Sequence, residues 1–155
     1  MTEVKLLVQT AGLVLFDPVV LQAFIDYHHL PVSNLWDSFR SNPDLAKEAL
    51  ATGCLLPVHP IVAWDYRVRV AVAAQPTVPA EWVLFAAAGF ALHVSSGRVL
   101  VADGWALLRW EAAAYLEFGR QPLAANYAAN DFRVVQEVRV PNGWYQVTVV
   151  GFCER

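Results

Sequence analysis

The sequence predicts an α+β fold over residues 1–155, read as a single domain. It is mainly antiparallel β from about residue 60 to 155, with two or three short helices before that. Three observations predict it. Two proline-led starts, Asp17-Pro18 and Asn42-Pro43, each open an apolar helical pattern. Around Val68 and Val70 valines alternate with arginines, the period of a strand with one buried face. Three glycine turns, Ser96-Gly97, Asp103-Gly104 and Asn142-Gly143, interrupt apolar runs in the second half.

Taken in order, Val4-Lys5-Leu6-Leu7-Val8-Gln9 and Leu13-Val14-Leu15-Phe16 flank Thr10-Ala11-Gly12 and read as a small hairpin. Asp17 can accept from the orphan N–H groups of a helix that begins at Pro18. Leu21, Phe24, Ile25 and His28 share one face of it, and Leu30-Pro31 ends it. Leu35, Trp36 and Phe39 suit a short helical turn. A further helix runs over 44–52 and stops at Gly53. A strand is expected over 66–72, with Val68, Val70 and Val72 on one face and Arg67 and Arg69 on the other. A loop follows at Gln75-Pro76-Thr77-Val78-Pro79. Each of the three glycine turns is expected to close a hairpin, Asn142-Gly143 most clearly. Around the last, Phe132, Val134, Val138 and Val140 share one face. Asp131, Arg133, Glu137 and Arg139 read as a solvated edge or face. Residues 110–129 suit either a helical turn or a continuing strand. A two-sheet sandwich with helices at one end, or a meander backed by helices, would bury the apolar face.

Composition narrows the classes. The chain is 57% hydrophobic and 16% charged, against a usual ~25% charged, which excludes intrinsic disorder. The apolar excess points to a protein partner or self-association; Ala richness is the other reading. Net charge is −3, and the eleven scattered Lys and Arg form no phosphate-tracking stripe, which disfavours nucleic acid. The longest run free of charge and His, 82–92, is too short to span a membrane and suits a buried strand. Met1-Thr2-Glu3-Val4-Lys5 has no secretory character, so Cys54 and Cys153 read as buried thiols in a reducing cytoplasm.

Chemical constellations are sparse. His28 and His29 diverge by about 100° on a helix and make a poor shared ligand pair. Cys54, His59 and Cys153 lack the close-spaced pairs of a structural zinc site. His93, Ser95 and Ser96 cluster at a turn without a nucleophile elbow. Gly97-Arg98, Gly104-Trp105 and Gly119-Arg120 are isolated glycines, and no phosphate loop is present. No cofactor or metal is implied. Six tryptophans stand out, and Trp105 and Trp144 directly follow turn glycines, so they are expected near hairpin tips. With Tyr145, they are the candidate binding residues, as an aromatic contact surface or as staples of their own hairpins.

One resemblance follows from the last turn. Val140-Pro141-Asn142-Gly143-Trp144-Tyr145-Gln146-Val147-Thr148 is similar to a hairpin near the end of bacterial competence protein J and to small bacterial immunity-type sandwich proteins. That resemblance implies a non-catalytic β-sandwich that binds and blocks a nuclease or another toxin, and it carries over no functional residue. The sequence thus predicts a non-enzymatic protein-binding domain, an inhibitor or immunity-like protein being one form. The alternatives are a small hydrolase or lyase with a pocket drawn from His59, Asp65, His93, Asp103 and Glu111, and a structural homo-oligomer.

Overall fold

The computed structural model describes residues 1–73, 77–118 and 133–153. The expectations for Gln75, Pro76, Gly119, Arg120, Asp131, Phe132 and the latter part of 110–129 lie outside the described residues. Within them the chain is α+β and mainly antiparallel, with five helices and eight strands.

Strands β1 (Thr2–Leu7) and β2 (Leu13–Phe16) lead into α1 (Pro18–His28), α2 (Leu35–Ser41) and α3 (Pro43–Ala51). Strands β3 (Leu56–Val58) and β4 (Asp65–Val70) follow, then a single 3₁₀ turn at Ala80–Trp82 and the long β5 (Val83–Val94). After β6 (Arg98–Asp103) come two short helices, α4 (Trp105–Leu108) and α5 (Ala112–Leu116), and then β7 (Val135–Arg139) and β8 (Gly143–Phe152). The strands form three hydrogen-bonded sheets rather than two: β1-β4, β3-β2-β6-β7 and β5-β8.

The helices start where capping chemistry places them. Asp17 accepts from the Val19 and Val20 N–H groups, with Pro18 in the first turn. Asn34 accepts from Asp37 N–H and Asn42 from Leu45 N–H. His29 closes α1 in the left-handed region, so it points away from the stripe that His28 continues. The residue pair therefore splits, and His28 turns to Glu48, 3.1 Å away.

The four-stranded sheet is covered on both sides. Val14, Phe16, Leu100 and Ala102 face the helices, packing on Leu21, Phe24, Ile25, Leu35, Leu107 and Trp110. Their neighbours Leu13, Val99 and Val101 face the opposite way, onto Leu6, Val8, Leu92 and Val94 and the partly buried Val68 and Val147. Strand period two places successive side chains on opposite faces, so a strand covered on both faces reads as a continuous apolar run. All six residues of β6 are buried.

None of the four expected hairpins forms. β1 pairs with β4, while β2 pairs with β3 and β6. The Thr10 turn is held instead by Asp103, whose carboxylate accepts from Gln9 N–H, Thr10 N–H and the Thr10 hydroxyl at 2.7 Å. Asp103 is therefore an anchor and not a hairpin residue, and Gly104 starts α4. Ser96-Gly97 and Asn142-Gly143 are corners. The strand before each belongs to one sheet and the strand after it to another.

Those two corners belong to one bent ribbon. Leu92 opposes Tyr145 and Val94 opposes Gly143; past the corner, Arg98 opposes Arg139 and Val101 opposes Gln136. Val140 N–H donates to Gly97 C=O at 3.1 Å between the two halves. The register continues unbroken, so β5–β6 and β7–β8 form a single antiparallel pair folded over the core.

Two further expectations change. Val134 lies exposed ahead of β7, and Glu137 is held by Arg98 and Arg139 rather than solvated. Cys54 is buried, but Cys153 is exposed beyond β8. No helix among the described residues is long and apolar enough to cross a membrane.

Candidate binding surface

The ribbon half that leaves the core, β5 with β8, carries the most unusual surface. Residues 84–89 of β5 are exposed, Leu84 at 73%. The uncharged run 82–92 was expected inside the core. Residues 84–89 instead project past it, while Phe90, Leu92 and Val94 join the cluster on that face of the four-stranded sheet.

The register assigns its two faces. Paired residues share a face, so Phe90 with Val147 and Leu92 with Tyr145 look inward. His93 with Trp144, Ala91 with Gln146, and Ala86 with Val150 look outward. Neither strand bears an Asp, Glu, Lys or Arg. Both register shifts insert an extra residue into β5, between Val83 and Phe85 and between Ala87 and Phe90. Gly89, at φ 89°, supplies the backbone that the second bulge needs. β8 is unbulged.

The predicted aromatic residues do not form one patch. Trp144 is 64% exposed on the outer face, its ring stacked on His93 at 4.1 Å and 4°. Tyr145 turns to the inner face, packs on the second core cluster, and donates its hydroxyl to Pro141 C=O at 2.6 Å. Trp105, 55% exposed, sits on the first turn of α4 and not at a hairpin tip. No ring contact joins Trp105 to Trp144 among the described residues. Sequence reasoning missed Leu84 and Phe85. The signal that could have found them is the length of the uncharged run, which exceeds what one crossing of a small core uses.

Two cavities flank the segment Pro57, Val58, His59. One of about 220 Å³ lies between it and Phe85, Ala87, Phe90 and Val149 of the ribbon's inner face. The other, about 190 Å³, is lined by Thr10, Trp36, Leu107 and Leu108 among others. His59 borders both, its ring 5.1 Å from that of Trp36.

The residues of the proposed acid–base pocket have separate company. Asp103 holds the Thr10 turn, His93 stacks on Trp144, and Glu111 pairs with Arg109 at 3.0 Å on the surface. Asp65 opens the exposed end of β4. Among the described residues, no hydrogen bond or ion pair joins any two of these and His59, and no group of three or more His, Cys, Asp or Glu is arranged to hold a metal ion. Ser95 and Ser96 offer their backbone N–H groups to Asp17.

No family model matches the chain, and no curated protein or solved structure shows significant similarity to it. The segment that carries the competence protein J resemblance, 140–148, covers the corner after β7 and the first six residues of β8.

Proposed function

We propose that the chain is a non-enzymatic protein-binding domain and that the β5-β8 ribbon is its docking element. The observation that carries this reading is the exposed, uncharged length of that ribbon. An isolated two-stranded ribbon is marginal in water, and a long apolar edge invites pairing with another chain. Covering it with protein removes both costs. An inhibitor or immunity-like role is one member of this class and rests on the resemblance of 140–148 alone.

A photo-crosslinking residue placed at Thr148, exposed on β8, tests the proposal in the producing cell. The same residue at Arg67 of the β1-β4 ribbon is the control. A discrete protein adduct from position 148, and none from 67, is expected. Equal labelling at both positions, or none at 148, overturns the reading.

A further inference from the structure

We draw no further inference here: the strongest candidate, the cleft between segment 57–61 and Phe85, Phe90 and Val149 on the inner face of the β5-β8 ribbon, is apolar apart from His59, and nothing in the structure shows what fills it.

Discussion

The Asp17 carboxylate and the Ser96 backbone N–H meet at 2.7 Å across seventy-nine residues of chain. Ser95 N–H reaches the same oxygen at 2.7 Å, while the other oxygen takes Val19 N–H at 2.8 Å. One fully buried side chain therefore fixes the start of α1 and the ribbon corner together. Asp17→Ala removes both sets of charge-assisted bonds and is expected to cost about 3–5 kcal/mol. Asp17→Asn retains one acceptor but turns an amide toward the remaining donors, for about 2–3 kcal/mol. Urea denaturation measures both. A loss below ~1 kcal/mol for Ala, or equal losses for the two variants, contradicts the double role.

Asp17 also shows what was legible in the sequence. Its helix cap is local chemistry, written in Asp17-Pro18, and so were the caps at Asn42 and the stop at Gly53. Its hold on Ser95 and Ser96 is not local, and no spacing announces it. The glycine turns failed for the same reason. Asn142-Gly143 and Ser96-Gly97 do reverse or bend the chain, but local sequence cannot say whether the flanking strands pair with each other. Here each pairs elsewhere, because Asp17 and the continuous β5–β6 and β7–β8 register decide partners from a distance. The candidate surface was legible only as composition. Trp105 and Trp144 are both exposed, though neither at the tip of a hairpin, and an uncharged strand reads the same whether a core or a partner covers it.

Arg98 performs a similar task at the other end of α5. Its buried guanidinium donates to the carbonyls of Tyr115 (3.3 Å), Leu116 and Phe118, and to the Glu137 carboxylate at 3.0 Å. A cation at a helix C-terminus satisfies carbonyls that the helix leaves unpaired. Arg98→Met should cost about 3–5 kcal/mol, and Arg98→Lys, which lacks the planar fork, about 2 kcal/mol. Because α5 stacks Tyr115 on Trp110 at 4.7 Å, Arg98→Met should also shift the buried Trp110 emission to longer wavelength. Unchanged emission with full stability loss would detach Arg98 from α5.

Gly53 and Gly89 both hold positive φ, at 66° and 89°, yet alanine should separate them. An added Cβ at Gly53 would meet the His93 backbone nitrogen at 2.7 Å, where the end of α3 touches β5. At Gly89 nothing lies within 4 Å. Gly89→Ala should cost only the conformational penalty, about 1 kcal/mol, and Gly53→Ala about 2–4 kcal/mol. Thermal melts of the two variants compare them directly. A larger loss at Gly89 would mean that the exposed bulge, and not the α3 stop, is the tighter junction.

Cys54 ties pH to stability. Burial raises its thiol pKa from 9.0 to about 12, with the Sγ 3.3 Å from Ala49 C=O. The folded chain thus keeps a proton that the unfolded chain releases. The contribution is whole below about 9 and drains as pH rises toward about 12, by a total of about 4 kcal/mol. Burial raises the Tyr115 hydroxyl in the same direction, which deepens the alkaline loss. Cys54→Ala should flatten the slope of unfolding free energy against pH above about 9 without removing the part due to Tyr115. Near neutral pH, iodoacetamide should modify Cys54 only after denaturant is added, since the thiolate is the nucleophile and the folded site disfavours it. Rapid native labelling of Cys54, or a slope that Cys54→Ala leaves unchanged, would show that the thiol sits in a wetter environment than α3 and the four-stranded sheet provide.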